Sequence, residues 1–470
     1  MLPSVVSQAS IQEVSAMLGE IFERFVEASP VSVMVRGLLE RVVGADKLDA
    51  FFYRVAHKQY TRTLLFSTLF DLMCNVVCGI RPTIHAAYTS SVEDIGVSVT
   101  AVYDKLNGIE LNTASGLVRE SARALKPLIE EMGGGLEPLL PGYQIKILDG
   151  NCLGATHHRI QELRQIQGGA LPGKSLVVLD PTWMLATHVF PCEDGHAQER
   201  SLVEDVLWTV EPGDLWISDR NLCTRRFAFG VARRNAYFIV RHHQQVSFEA
   251  LEPLREVGRT DTGMVSEQKV EVTDEQGQKQ GLRRIRIELD EPTSEGDEEI
   301  FILTNVPEEA AAATLIAQLY RNRWTIEGAF QDLAQNLCSE INTLGYPKAA
   351  LFGFSVALVA YNVLSAVKAA LRSVHGVEKV EKEVSGYYLA LEISGTYQGM
   401  MIAIPEAHWN IFSRLEIPQL AELMIQLAAK IRLSAFKKHP RGPKKKPPQH
   451  PKKLKQPHVS TAKLLGVRRC

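Results

Sequence analysis

Three acidic residues stand where a carboxylate could do chemistry as well as carry charge. Asp149 closes the apolar run QIKILD and is followed by Gly150, and Asp219 closes DLWIS and is followed by Arg220 and Asn221. Both runs read as strands, so both carboxylates fall at C-terminal strand ends, the edge of an α/β sheet where ligands gather. Glu327 lies in a predicted helix with Tyr320, Arg323 and Trp324, and the spacing puts Tyr320, Arg323 and Glu327 on one face. Two Asp and one Glu brought together would suit two Mg²⁺ ions, with Mn²⁺ as a substitute, because hard cations prefer oxygen ligands. Such a pair activates a water or a 3′-hydroxyl on one side of a phosphorus and stabilises the leaving oxygen on the other. Arg323 would neutralise a phosphate oxygen and the Tyr320 hydroxyl would hydrogen-bond the DNA backbone. Taken singly, each acid has a plainer reading: a strand-end Asp as a turn or cap residue, a helix Glu beside Arg as a surface ion pair.

The elements that must position these residues follow from the apolar rhythm. Residues 1–140 carry helical spacing (IQEVSAMLGEIFERFVEA, LLERVVGADKLDAFFYRVA, TRTLLFSTLFDLMCNVV) and end at Gly133, Gly134 and Gly135 with Pro138 and Pro141. From 141 to 240 short β-branched runs alternate with a helical stretch near 196–210, the pattern of an α/β core. Residues 241–306 turn charged and strand-like, which suggests an inserted β module. A helix is expected from Pro307 through LYRNRWTIEGAFQDLAQNL, within a second core segment, 307–345. A helical region follows over 346–435. Within it Ala349–Val367 is 19 residues without a charge, long enough to cross a bilayer; Gly353, Asn362 and the two serines favour a buried helix, and no membrane is expected.

Composition excludes other classes. With 470 residues, 45% hydrophobic and 23% charged, the chain is neither disordered throughout nor a disulfide miniprotein. Seven cysteines without a CxxC pair suit a reducing compartment, and the N-terminus reads without a signal peptide. The net charge of −2 conceals an asymmetry: Lys437–Cys470 holds twelve basic residues and no acid, leaving 40 basic against 54 acidic residues elsewhere. This proline-rich segment, 436–470, is expected to stay disordered and bind phosphates in a salt-dependent way. SVEDIGVSVTAVYDKLNGIE, residues 91–110, reads as a helix-turn-helix or an ordinary αα-hairpin; Ser98, Thr100, Tyr103 and Lys105 are its candidates to face DNA. His157, His158 and Arg159 follow the first strand closely enough to touch DNA.

YRNRWTIEGAF resembles the signature of DDE transposases of the IS-four group: Tyr, two residues, Arg, three residues, Glu, six residues, Lys. Tyr320, Arg323 and Glu327 match it, with Trp324 and Ile326 between, and LDGN and SDRN resemble the family's strand motifs in the same order. The resemblance implies an RNase H-like core interrupted by a β-strand insertion, with an N-terminal helical DNA-binding region and a C-terminal helical region. It implies that Asp149, Asp219 and Glu327 hold the metal and catalyse hydrolysis at a transposon end, then strand transfer. The partners would be double-stranded DNA, both terminal inverted repeats and target, with a homodimer in the synaptic complex, in a prokaryotic, nucleoid-associated cytoplasmic setting. Tyr320, Arg323, Trp324, Arg220 and Lys105 would contact DNA, and Phe301 in EIFILTN is similar in position to an aromatic that stacks on a flipped base, although a strand Phe also reads as core. The signature's Lys falls at Ala334, which keeps two alternatives open: a nuclease that cleaves without joining, and an inactive DNA-binding relic. A rival motif, Gly168–Ser175 (GGALPGKS), fits the letters of a phosphate-binding P-loop, but a strand follows its Lys where a P-loop requires a helix.

Overall fold

The computed structural model describes residues 18–59, 61, 63–154, 156, 160–165, 168–293, 296–439 and 458–467. His157, His158, Arg159 and residues 440–457 of the basic segment lie outside them. The strands are β1 (Gln144–Cys152), β2 (Ala170–Leu171), β3 (Lys174–Asp180), β4 (Leu185–Cys192), β5 (Asp214–Ser218), β6 (Tyr237–Arg241), β7 (Glu249–Ala250), β8 (Arg255–Thr260), β9 (Gly263–Thr273), β10 (Lys279–Leu289), β11 (Glu299–Thr304) and β12 (Val459–Ser460). The large sheet runs β4-β3-β1-β5-β6-β11-β10-β9-β7, with β8 also on β9. β1, β3 and β4 pair antiparallel, whereas β1, β5 and β6 are parallel. The charged strands after β6 do not form a detached module: β11 pairs with β6, and the insertion continues the same sheet.

Strand alternation divides the interior into two layers. Ile145 and Ile147 of β1, Val177 and Leu179 of β3, and Leu215 and Ile217 of β5 face a large core shared with the N-terminal and C-terminal helices. Leu148, Leu176, Val178 and Trp216 face the other way, onto Val203, Val206 and Phe227 of two short helices, Val203–Leu207 and Arg225–Ala232. The uncharged run becomes part of a helix, Pro347–His375, whose apolar window is wholly buried inside the protein. It lies against the helix Leu111–Glu131 and strand β4. Its one carboxamide is matched on every side: Asn362 Oδ1 accepts from the Ala186 N–H (2.7 Å), and Nδ2 donates to the Ala186 carbonyl and the Ser121 hydroxyl (both 2.9 Å).

Two expectations are corrected. The helix awaited from Pro307 begins only at Ala313 and is broken, giving Ala313–Arg321 and Trp324–Asn336. Buried Arg283 donates to the carbonyls of Val306 and Ala311 (3.0 and 2.8 Å), holding the entry out of helical register, and at the break the chain turns through i→i−3 bonds, Arg323 N–H to Tyr320 and Thr325 N–H to Asn322. The segment 436–470 is also not structureless throughout: β12 adds in parallel to β2, the helix Thr461–Val467 follows, and Lys463 pairs with Asp194 (3.2 Å).

Candidate active site

β1 and β5 are parallel neighbours with Leu148 opposite Ser218, so Asp149 and Asp219 emerge side by side at one sheet edge. By alternation both follow Ile147 and Ile217 toward the face that carries the Trp324–Asn336 helix. There Arg323 forks between two acids: Nη1 donates to Asp149 Oδ2 (2.7 Å) and Nη2 to Glu327 Oε1 (2.8 Å). The helix break sets this geometry, because Arg323 ends the turn while Glu327 lies one turn into the next helix. The structure therefore brings Asp149, Asp219, Arg323 and Glu327 together, with Tyr320 buried behind Arg323 and hydrogen-bonded to it.

Burial is the main reason that Asp149 holds its proton up to about 6; Arg323 and the Gly150 N–H (2.9 Å) oppose it, and the Asp219 and Glu199 charges add to it. Asp219 is also raised, first by burial, against the N–H of Asn221 and the Arg323 charge. Burial lowers the affinity of Arg323 for its proton, but Asp149, Tyr320 and Glu327 outweigh it and hold the guanidinium above its ordinary value. Two adjacent carboxylates whose ionised forms are disfavoured by burial are a donor pair that a hard divalent cation would relieve. Asp149 and Asp219 fit such an ion. Glu327 does not yet join them: among the described residues no three acidic, His or Cys side chains stand close enough to hold a metal, and Arg323 engages Glu327.

The proton affinity of Asp149 has a measurable consequence for the metal-free protein. An unfolded Asp titrates near ~3.9, so the stability tied to this carboxyl is fully present below about pH 4 and is lost as pH rises through about 6. Asp149→Asn is expected to escape that loss, gaining up to about 3 kcal/mol on the parent by pH ~7 and little at pH ~4. Thermal unfolding in chelator across this range checks it; a Tm difference that stays flat with pH would contradict it.

The other sequence candidates are scattered. Trp324 is 53% exposed, on the outer surface of its helix. Arg220 follows Asp219 in a short 3₁₀ turn and lines a cavity beside the site. Phe301 is half-buried on β11, and the Arg284 guanidinium lies over its ring (3.9 Å to the centroid) and over that of Phe248 (4.7 Å), on the face a base would need. Lys105 is turned inward, its ammonium donating to the Leu64 carbonyl (2.8 Å) above the Phe52 ring, so the helix Val99–Gly108 does not present it to a ligand. Lys174 of the P-loop-like motif opens strand β3, without a following helix.

Sequence reasoning missed Glu199. It sits under the sheet edge against Gly150, where a Cβ would come within 2.3 Å of its Oε1, and Asn221 Nδ2 donates to it (3.3 Å). Burial and the Asp219 charge raise its proton affinity. The glycine after Asp149 was the one local hint, since only a residue without a side chain fits there.

Residues 140–363 match the family model for the transposase DDE domain, a span that contains Asp149, Asp219 and Glu327 and covers just under half of the chain. The match supports a DDE transposase, a family that acts on DNA and typically uses divalent metal ions. No curated protein matches the chain.

Proposed function

We propose that this protein is a cut-and-paste transposase that cleaves and joins DNA at the terminal inverted repeats of its own element. The observation that carries the reading is the convergence of Asp149 and Asp219 on Arg323 and Glu327, from three separate elements, within the span that matches the DDE domain. The strand order β4-β3-β1-β5-β6, three antiparallel strands followed by two parallel ones, is consistent with an RNase H-like core of the IS-four group. Asp149, Asp219 and Glu327 would hold two Mg²⁺ ions, which when bound supply a polarised nucleophile and charge stabilisation at the phosphorus.

The chain's own contribution is positioning. Arg323 is a fork of fixed geometry matched to carboxylate or phosphate. Its present partners are two carboxylates, and an incoming phosphate offers a comparable pair of anionic oxygens, so DNA would compete for the guanidinium and free Glu327 toward the aspartates. Tyr320 behind it fixes the direction of the fork. A second copy would act on the second end, in a homodimer.

The test is incubation of purified protein with Mg²⁺, a labelled pre-cut end of the element's terminal repeat and a supercoiled plasmid. Joined product is expected from the parent and not from Asp149→Ala. Cleavage without joining would favour a nuclease. Specific binding without either would favour an inactive relic and turn attention to Ala334, which is exposed on the Trp324–Asn336 helix where the family's Lys would reach outward.

A further inference from the structure

A polar cavity of about 290 Å³ lies on the other face of the same sheet edge, lined by Lys174, His196, Glu199, Arg200, Asn221 and His243 among others. Its position follows from alternation. Asp149 faces the Trp324–Asn336 helix, so Gly150 faces away from it, and Glu199 meets Gly150 there. Lys174 shares the parity of Leu176 and Val178, which belong to the core on that second face. The residue opposite Lys174 on β1 is Cys152, three positions beyond Asp149. A strand of DNA with one phosphate at the aspartates therefore needs only to pass over the edge of β1 and β5 to place a neighbouring nucleotide in the cavity.

The lining divides by chemistry. Lys174, Arg200 and Arg220 supply cations; Arg200 donates to the neutral Gln245 side chain (2.9 Å), and Lys174 acts on Glu199 from across the space. Glu199 is an acceptor-only group and Asn221 offers both donor and acceptor. Cations suit a phosphate, and a carboxylate beside a carboxamide suits the exocyclic amino group of a base. The room is that of one nucleotide, near the lower end of small-molecule sites. This also gives the lysine of GGALPGKS a role that the P-loop reading could not, since it meets phosphate from a strand end and not from a helix terminus.

We infer that this cavity binds one nucleotide of the DNA strand next to the scissile phosphate, with its phosphate on Lys174 and Arg200 and an amino-bearing base on Glu199 and Asn221. The inference rests on the transposase reading for its DNA, but its first test does not. The full chain is titrated by calorimetry with each of the four deoxynucleoside monophosphates. Binding of at least one of dCMP, dAMP and dGMP roughly fivefold or more tighter than TMP, whose base alone lacks an exocyclic amino group, is expected, weakened at least ~5-fold by Lys174→Ala or by Arg200→Ala, with the preference lost in Glu199→Gln. No saturable binding below roughly 10 mM, equal binding of all four, or indifference to the Lys174 and Arg200 changes would overturn it.

A second arm separates a nucleotide within a strand from a free one. Oligonucleotide ends carrying 2-aminopurine at successive positions beside the cut are expected to change emission at one position, and an excess of the tightest-binding of the four monophosphates should reverse the change. Mononucleotide binding without that response would assign the cavity to free nucleotides and overturn the strand assignment. If joining persists in Asp149→Ala while mononucleotide binding follows Lys174 and Arg200, the catalytic reading fails and the cavity stands.

Discussion

Glu327→Gln is expected to lower strand joining by roughly three orders of magnitude while shifting Tm by less than about 3 °C. The two halves of this expectation have different origins. For stability, the Glu327 side chain is 46% exposed, and its contact is an i,i+4 pair with Arg323, an interaction worth little when solvent reaches it. For catalysis, Glu327 is the one acid of the three that approaches from a helix, and the amide that replaces it keeps shape and hydrogen bonding but not the charge a divalent ion requires. Residues that act as one unit lose nearly the whole effect when any is removed. Joining measured on a pre-cut end, with Tm recorded on the same preparation, checks both halves. Joining within about tenfold of the parent would remove Glu327 from the site. Arg323→Ala should behave differently, because its side chain is 14% exposed and bridges Asp149 as well: both the fold and the reaction should suffer.

Asn362→Leu is expected to destabilise the fold by ~3–5 kcal/mol. The shape is nearly conserved, so the cost is not a cavity. It arises chiefly because the Ala186 N–H and carbonyl lose the carboxamide in a place water does not reach; the Ser121 hydroxyl loses the bond it accepts but still donates to the Val118 carbonyl (2.7 Å). A buried donor or acceptor left without a partner costs more than a surface hydrogen bond is worth. The change sits at the junction of the Pro347–His375 helix, the Leu111–Glu131 helix and strand β4, so the loss should reach the whole fold. Denaturant unfolding with hydrogen exchange at the Ala186 amide checks it: a loss below about 1 kcal/mol, or exchange there unchanged, would mean that another group satisfies these atoms.

The sequence by itself determined the parts of this protein that depend on near neighbours along the chain. Alternating apolar runs made β1, β3 and β5 strands; Asp219 follows the last residue of β5 as expected, whereas Asp149 lies within β1, which runs on three residues to Cys152 because β3 continues to pair with it. The long uncharged run announced a buried helix, and its serines, glycine and asparagine argued for a protein environment. Spacing in LYRNRWTIE placed Arg323 and Glu327 within reach of each other, because i and i+4 meet on a helix.

Tertiary structure decided what depends on residues far apart. Arg323 and Asp149 are 174 positions apart, and no local period encodes their contact. The helix break at Asn322 and Arg323 ran against a continuous helical pattern. The late start at Ala313 followed from Arg283, on a distant strand, which captures the carbonyls at the entry, and at the break the carboxylates hold Arg323 at the turn. Lys105 looked available for DNA because charge on a short helix usually faces water, yet a loop carbonyl of a remote segment met it first. The C-terminal strand β12 was illegible for the same reason: two residues in a basic segment carry no strand signal until β2 offers them an unpaired edge. Glu199 and Lys174 acquired meaning only when the sheet put them beneath the edge that carries the aspartates. Local sequence fixes which faces an element has, but which face meets which partner is set by the burial of all elements at once.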